Sequence, residues 1–432
     1  MKQIFKAIVI YILTLEAKVV LQLKKPIIIA VVGSVGKTST KDAIHSAVHE
    51  QLSVRKNSKS LNSEFGVPLT ILGLESGWNN PVLWLKNIWN GVLVLLPTKK
   101  YPAHLVLEVG TDMPGDMKRT ASWLQPDVVV ITSLPDIPVH VEHFDSPRDL
   151  RNEDASILSY MKEEGLVVLN TDDSHVAELQ SKITQRVLTY GTTISCDVQF
   201  GSYAINYVDE VPKGMQASIL FDNQSYPISI SESVGRHHMY AITAGFAVAV
   251  SFGVAPVQAV AGLSTHVCPA GRMKLLEGIY ESTIIDDSYN ASPIATEKAI
   301  ETLSLIKTKS PSSKKIAVLG SMLELGDFSK ESHEAIGALV AESTITNVYT
   351  YGDEASAISQ SAVAHGMPTN TAHHFKNQED IIAELQKNIS PGDILLIKGS
   401  QGSRMEKVIK PLLRNKQDVR NLVRQEYVWN SI

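Results

Sequence analysis

The sequence predicts an α/β protein with a central domain on a mostly parallel sheet, a small antiparallel section, and a second, doubly wound domain. The chain has 432 residues, more than one ordinary hydrophobic core holds, so two or three domains are expected. Apolar runs typical of strands alternate with helical stretches in both halves. Short alternating runs over residues 197–230 interrupt this rhythm and indicate antiparallel hairpins. We divide the chain at residues 1–25, 26–269 and 270–432.

The pattern of the first segment, residues 1–25, predicts an amphipathic helix. It is apolar, but Lys6, Glu16 and Lys18 interrupt it, and a spanning helix needs about 20 mostly apolar residues. A second apolar stretch, residues 80–97, carries two tryptophans. Two interpretations stay open for both stretches: helices that cover a sheet, or peripheral contact with a membrane surface.

The central domain opens with a predicted phosphate-binding loop. The stretch "IIIAVVGSVGKTST" reads as a strand, a glycine turn and the start of a helix, where backbone N–H groups can bind an anion. A lysine there can reach a terminal phosphate, and a threonine hydroxyl can ligate Mg²⁺. The spacing is a shortened G-x-x-G-K-T, because Val31 stands where the longer motif has its first glycine. The predicted phosphate-binding residues are Gly33, Ser34, Val35, Gly36, Lys37, Thr38 and Ser39.

Two later strand ends of the central domain carry metal-ligand side chains. The strand at residues 104–109 contains Glu108, a carboxylate that can meet Mg²⁺ held by Thr38 and the phosphates. The loop over residues 131–146 contains His140 and His143, and we expect one histidine of this loop in a second metal or substrate site.

The C-terminal domain, residues 270–432, repeats the strand and helix alternation after the linker-like stretch "THVCPAGRMK". The strands "STIIDD", "KKIAVLG", "NVYTYG" and "DILLIKG" predict a doubly wound, Rossmann-like sheet. Ligands of such sheets bind at the carboxyl ends of the strands. Those loops are therefore the expected site of a second set of ligand contacts.

Composition limits the partners and the compartment. The net charge of −5 gives no reason to expect a nucleic-acid partner. Two cysteines without metal spacing argue against a disulfide framework and a structural zinc site, as is usual in a reducing compartment. We expect a cytoplasmic monomer.

The sequence carries a series of motifs in this order: "GSVGKTST", "LNSEFGVPLTIL", "VLEVGTDMPGDM", "PVHVEHFDS", "DDSYNASP", "VLGSMLELG" and "LIKGSQGSRMEKVI". Together they resemble the Mur ligase family over residues 26–415. The resemblance is to the branch that joins D-Ala-D-Ala to UDP-N-acetylmuramoyl-tripeptide (UDP-MurNAc-tripeptide) in peptidoglycan synthesis. It implies an ADP-forming acid–amino-acid ligase that uses ATP and Mg²⁺ and proceeds through an acyl phosphate.

The resemblance also assigns roles to individual residues. Lys37 would hold the phosphates and serve catalysis together with Glu108 and His140, while Thr38, Glu108 and His140 would hold Mg²⁺. The implied nucleotide contacts of the C-terminal domain are Arg272, Asp287 and Asn290, and the implied substrate contacts are Asn62, Ser63, Lys398 and Ser400.

Two departures from the family pattern affect these expectations. Asp154 stands where many members carry a carbamylated lysine, so we hypothesise that its native carboxylate replaces the carbamate as a metal ligand. The family branch has a UDP-binding domain before the phosphate loop, whereas about 26 residues precede the loop here. Two alternatives therefore remain: a related amide ligase with another acidic acceptor, or a catalytically silent nucleotide-binding protein.

Overall fold

Two sheets organise the chain, as the sequence predicts. The computed structural model describes residues 2–57, 64–78, 80–97, 100–425 and 429, and for residues 2–4 it describes the backbone alone. A nine-stranded sheet forms the central domain and a six-stranded sheet forms the C-terminal domain. The predicted fold class is confirmed.

The nine-stranded sheet is parallel through its first seven strands in spatial order β2-β3-β1-β4-β5-β6-β7. Strands β7, β8 and β9 then form an antiparallel meander, at the place where the sequence predicts hairpins. The strands are β1 (Ile27–Val32), β2 (Val54–Lys56), β3 (His104–Glu108), β4 (Val128–Ile131), β5 (Leu166–Asn170), β6 (Arg186–Gly191), β7 (Val198–Val208), β8 (Val211–Phe221) and β9 (Gln224–Ser231).

Helices cover both faces of this sheet, which explains why its parallel strands read as continuous apolar runs. Alternate residues of β1 point to opposite faces: Ile29 packs with Phe246, whereas Ile28 packs in the same cluster as Leu13. The helices of the N-terminal segment and the central domain are α1 (Lys2–Lys24), α2 (Lys37–Val48), α3 (Gly66–Leu72), α4 (Pro81–Val94), α5 (Asp116–Leu124), α6 (Pro147–Ala155), α7 (Ser174–Leu179), α8 (His238–Ser251) and α9 (Pro256–Ser264).

The six-stranded sheet has the spatial order β10-β11-β15-β12-β13-β14, and only β10 runs antiparallel to its neighbour. Its strands are β10 (Lys274–Glu277), β11 (Thr283–Asp287), β12 (Lys315–Gly320), β13 (Asn347–Tyr351), β14 (Ala372–Phe375) and β15 (Ile394–Lys398). The helices that accompany it are α10 (Pro293–Leu305), α11 (Ser329–Glu342), α12 (Ser356–Ala364), α13 (Gln378–Asn388) and α14 (Glu406–Ile409).

The N-terminal helix α1 packs on the central domain. Val9, Leu13 and Val20 are buried in the core that covers one face of the nine-stranded sheet. Of the two interpretations of this segment, cover for the sheet is therefore confirmed for its buried face. No described helix is long and apolar enough to cross a membrane.

A carboxyl group is buried where α1 meets α4. Glu16 is 8% exposed, and its Oε2 atom has no hydrogen-bond partner among the described residues. A Cβ atom at Gly91 of α4 would collide with this carboxyl, so glycine makes room for it. Burial raises the pKa of Glu16 to about 7, because desolvation disfavours the charged form.

We expect Glu16→Gln to stabilise the protein at high pH and to have little effect at low pH. The folded state keeps Glu16 protonated up to about pH 7, whereas an unfolded glutamate ionises near its ordinary pKa of 4.5. Stability is therefore lost as the pH rises between these values, and the neutral amide avoids that loss. Thermal unfolding of Glu16→Gln and of the unchanged protein at about pH 5 and pH 8 measures this difference. We expect the Tm of Glu16→Gln to be a few degrees higher than that of the unchanged protein at pH 8.

The exposed Glu50, in the turn after α2, provides the matched control. Glu50→Gln should leave the pH dependence of Tm unchanged. An equal Tm shift for Glu16→Gln at both pH values would contradict this interpretation.

Candidate active site

The phosphate-binding loop is held against the end of β4. Gly33 has a φ of 122° and Gly36 a φ of 88°, conformations that favour glycine. A Cβ atom at Gly33 would lie 2.5 Å from the Oγ1 atom of Thr132, so a side chain is excluded there. The Thr132 hydroxyl contacts the carbonyl oxygen of Val35 at 2.6 Å. Thr132, which the sequence patterns did not single out, therefore fixes the loop from a neighbouring strand.

Lys37 and Thr38 begin helix α2 directly after the loop. The Nζ atom of Lys37 donates to the carbonyl oxygen of Gly33 at 2.5 Å, which keeps the ammonium group at the loop. The Thr38 hydroxyl donates to Oε1 of Glu108 at 3.1 Å. The loop residues Ser34 and Val35 precede the helix, and Ser39 is buried in its first turn. The predicted phosphate loop and carboxylate thus lie together.

Glu108 reaches this position because β3 lies beside β1, with Val31 as its register partner. Its side chain is 2% exposed, and Oε2 has no hydrogen-bond partner among the described residues. That oxygen lies 3.8 Å from Nζ of Lys41, a lysine on α2 that is itself buried. The buried carboxylate is therefore balanced by a cation that the sequence patterns did not identify.

Asp154, on α6, lies on another side of the phosphate loop. It is 3% exposed, and its Oδ2 atom accepts a hydrogen bond from the hydroxyl of Ser34 at 3.4 Å. Burial raises the pKa of Asp154, while the nearby charge of Lys37 opposes that rise. A buried carboxylate is thus placed beside the lysine and the loop.

His140 connects the two domains. It has a φ of 70°, and its Nδ1 atom lies 2.5 Å from Oε2 of Glu324, in the loop after β12. Its Nε2 atom lies 3.6 Å from Oδ1 of Asp112. The hydrogen bond with His140 lowers the pKa of Glu324. Glu324 has no distinctive local pattern, although it lies within the "VLGSMLELG" motif.

The side chains at the phosphate loop suit a magnesium ion that is bound partly by protein oxygens and partly by phosphate oxygens. Among the described residues, no three His, Cys, Asp or Glu side chains are grouped closely enough to hold a metal by themselves. Mg²⁺ usually takes one or two carboxylates together with substrate phosphates and waters. The buried Oε2 of Glu108, which lacks a hydrogen-bond partner in the described chain, matches that need.

The C-terminal domain places Asp287 and Lys398 side by side. They end the neighbouring strands β11 and β15 as register partners, and Nζ of Lys398 lies 2.6 Å from Oδ2 of Asp287. Lys398 also donates to the carbonyl oxygen of Asn290 at 2.9 Å. The side chain of Asn290 in turn accepts from the backbone N–H of Gln401 at 3.3 Å. These predicted residues form one buried network across two strand ends.

Ser400 and Arg272 border this network. The Ser400 hydroxyl accepts from the backbone N–H of Leu323 at 2.9 Å and contacts the carbonyl oxygen of Ala291 at 3.3 Å. The guanidinium of Arg272 lies 4.2 Å from the ring centroid of Tyr289. In this conformation Ser400 joins two loops, and the Arg272 guanidinium lies over the ring of Tyr289.

Two predicted substrate contacts, Asn62 and Ser63, lie outside the described residues. The other predicted site residues fall into two groups, one at the phosphate loop and one at the ends of β11 and β15. His140 and Glu324 join the loops of the two domains.

Comparison with known proteins identifies relatives along most of the chain. It is 29% identical over 399 residues to the UDP-N-acetylmuramoyl-tripeptide--D-alanyl-D-alanine ligase of Bacillus subtilis, covering 92% of this chain and 78% of that protein. The ligase of the same name from Escherichia coli is 24% identical, with 90% and 77% covered.

Solved structures share the fold. MurF from Acinetobacter baumannii superposes with a TM-score of 0.75 at 22% identity, covering 94% of this chain and 80% of that one. MurF from Thermotoga maritima, in complex with ADP, gives a TM-score of 0.73 at 24% identity, with 92% and 82% covered.

Family models match both domains. Residues 31–249 match the Mur ligase middle domain, and residues 271–401 match the Mur ligase, glutamate ligase domain. The first match alone spans half of the chain and contains the phosphate loop, Glu108, His140 and Asp154. The chain belongs to the Mur ligase family.

Proposed function

We propose that this protein joins D-Ala-D-Ala to UDP-MurNAc-tripeptide in an ATP-dependent, ADP-forming reaction of peptidoglycan precursor synthesis. The observation that carries the proposal is the Thr38–Glu108 contact of 3.1 Å beside Lys37 at the phosphate loop. Nucleotide hydrolysis and phosphoryl transfer sites need such a cation, hydroxyl and carboxylate around the phosphates. The choice of amine and acceptor rests on the names of the relatives in B. subtilis and E. coli.

The chemistry divides into two transfers. A carboxylate oxygen of the tripeptide attacks the γ-phosphorus of ATP, the bond to the bridging oxygen breaks, and ADP leaves. The unprotonated amine of D-Ala-D-Ala then attacks the acyl carbon of this acyl phosphate, the bond to the phosphate oxygen breaks, and the nitrogen loses a proton to water as inorganic phosphate leaves and the amide forms. The protein has to bring two anions together and neutralise the charge that develops.

The residues of the phosphate loop supply most of that neutralisation. Lys37 would turn from the Gly33 carbonyl, where its Nζ lies at 2.5 Å, to the transferred phosphate. The N–H groups of Gly33, Val35, Gly36 and Ser39 lie in the loop and the first turn of α2, where the helix dipole favours an anion. The N–H group of Ser34 donates to the carbonyl oxygen of Ser133 at 2.8 Å, so the proposed nucleotide contact of Ser34 is through its side chain.

Thr38, Glu108, His140 and Asp154 are the residues that would hold Mg²⁺, whose role is to neutralise phosphate charge. Asp154 takes the place of a carbamylated lysine in this proposal. Its burial and its contact with Ser34 support it, because a charged carboxylate is costly there unless a cation accompanies it.

The C-terminal domain would close the site. Arg272, Asp287 and Asn290 are proposed to contact the nucleotide, and Lys398 and Ser400 to contact substrate. The network that joins Asp287 to Lys398 at 2.6 Å sets the positions of both strand ends. Asn62 and Ser63 complete the proposed substrate contacts from the central domain.

We expect phosphate release from ATP only when Mg²⁺, UDP-MurNAc-tripeptide and D-Ala-D-Ala are all present, with the pentapeptide product detected by mass. Lys37→Ala should lower turnover by about 10²-fold or more, because it removes a cation aimed at developing charge. Lys118→Ala, which changes an exposed lysine on α5, is the matched control and should keep normal turnover.

Two other outcomes would revise this function. Release with ATP and a different acidic acceptor would keep the ligase chemistry and change the substrate. Nucleotide binding without release for any acidic acceptor would contradict the proposed activity and favour a silent nucleotide-binding protein.

Asp154→Asn should raise the Mg²⁺ concentration needed for half-maximal turnover by about 10-fold or more. Loss of a group that only supports a metal ligand already lowers metal affinity by about that factor, and loss of the ligand itself lowers it at least as much. Asp149→Asn, a change at an exposed position of the same helix, should leave that concentration unaltered. An unchanged Mg²⁺ requirement for Asp154→Asn would show that the carboxylate has another role.

A further inference from the structure

Helices α1 and α4 carry an unusual share of the exposed apolar surface. Eleven of the twenty large hydrophobic side chains that are at least 36% exposed in the described chain lie on these two helices. Tyr11 and Trp89 are each 65% exposed. Single exposed apolar residues are normal, but a concentration on two neighbouring helices marks an interaction site. We call this surface the α1–α4 face; it includes Ile8, Tyr11, Leu15, Leu23, Leu85 and Trp89.

The two helices lie against each other, so their exposed sides adjoin. Glu16 of α1 fills the space left by Gly91 of α4. Nearer the end of both segments, the Nζ atom of Lys24 donates to the carbonyl oxygen of Leu96 at 3.0 Å. The opposite side of α1 is already occupied by core packing around Leu13. The apolar side chains that remain exposed are therefore not needed to cover the sheet.

The charge of these segments is opposite to that of the whole chain. Residues 1–26 and 80–101 contain eight lysines, one glutamate and no aspartate, in a protein whose net charge is −5. The glutamate is Glu16, which is buried with a pKa raised by desolvation. Lys6, Lys25 and Lys86 are exposed. Two exposed acidic side chains lie just outside these segments: Glu64, next to the Phe65 ring that Lys6 contacts, and Glu75, whose backbone carbonyl accepts from Asn87 of α4. Within the segments themselves the exposed charges are basic, and this excess is complementary to an anionic, apolar partner.

We propose that the α1–α4 face binds the surface of a lipid bilayer that contains anionic lipids, with the helices lying in the interface. Apolar side chains enter the boundary between headgroups and acyl chains in such binding, while lysines meet the lipid charge. Tyrosine and tryptophan side chains favour the same depth. The contact we propose is peripheral, with both helices in the plane of the interface.

A second copy of the chain fits this surface less well. A twofold contact between two α1–α4 faces would bring the lysines of both copies into one interface, because an isologous interface uses the same patch on both subunits. Lys86 lies on the same helix as Trp89, so its charge would have to be buried or opposed across the contact. An anionic bilayer has neither problem.

The experiment is co-sedimentation of the full chain with vesicles of phosphatidylcholine alone or of phosphatidylcholine with phosphatidylglycerol. We expect binding at least about 10-fold stronger to the anionic vesicles, and weaker binding at high salt. Tyr11→Glu with Trp89→Glu should reduce it at least about 10-fold. Lys86→Gln with Lys100→Gln changes two exposed lysines of the 80–101 segment and keeps the apolar side chains; it should reduce binding about 30-fold.

The matched control places two glutamates at exposed apolar positions elsewhere: Ile194→Glu with Val257→Glu, at side chains 95% and 71% exposed. That variant should bind as the unchanged protein does. Thermal unfolding establishes whether each variant is folded. If the Tyr11 and Trp89 variant does not fold, vesicle binding by the Lys86 and Lys100 variant tests the proposal instead.

Three results would overturn the proposal. They are absence of binding to anionic vesicles, equal loss in the control variant, and a dimer in sedimentation velocity that the Tyr11 and Trp89 changes dissociate. The last result would assign the α1–α4 face to a second copy. None of the changed residues belongs to the proposed active site, so ligase activity is expected to persist in solution.

Discussion

The close approach of the phosphate loop to the end of β4 is the constraint on which the active site depends. At Gly33 the backbone has a φ of 122° and no room for a Cβ atom beside Thr132. Because the loop can press against this strand, the Thr132 hydroxyl can reach the carbonyl oxygen of Val35. Helix α2 then begins at Lys37, and its second residue faces the carboxylate that ends β3. A side chain at Gly33 would shift the loop, and the lysine, the threonine hydroxyl and their alignment with Glu108 would be displaced together.

The site is divided between two sheets, and the charges at its two halves are balanced in different ways. At the phosphate loop, buried Glu108 has Lys41 as its cation at 3.8 Å and keeps one oxygen without a hydrogen bond in the described chain. In the C-terminal domain, Asp287 and Lys398 neutralise each other at 2.6 Å. The first arrangement leaves capacity for a metal ion, whereas the second holds two strands in register. The 2.5 Å contact between His140 and Glu324 then joins the loops of the two domains.

Strand ends and loop motifs were readable from the sequence because their signals are local. The apolar run before the glycine turn predicted β1, and the position of Glu108 at the end of the next long strand placed it near Thr38, as the structure has it. The partners Lys41, Thr132 and Glu324 were not predicted, since each acts through a contact between segments far apart in the chain or through the burial of one side chain. Short edge strands such as β2 also escaped prediction, because three residues carry too little pattern.

The N-terminal helix shows why periodicity alone left two interpretations open. Its apolar residues occupy more than one side, so a single pattern describes both the core contact through Leu13 and the exposed side that carries Tyr11. A helix whose only apolar contact is the sheet carries polar residues on the side that faces away from the sheet. A helix whose only apolar contact is a bilayer carries them on the side that faces its own domain. Here the one acidic residue, Glu16, is turned inward against Gly91, while lysines remain exposed. This distribution, with the acidic residue buried and the basic residues exposed, favours a helix with two apolar contacts. One contact is to its own domain, and the other is to a surface that attracts positive charge.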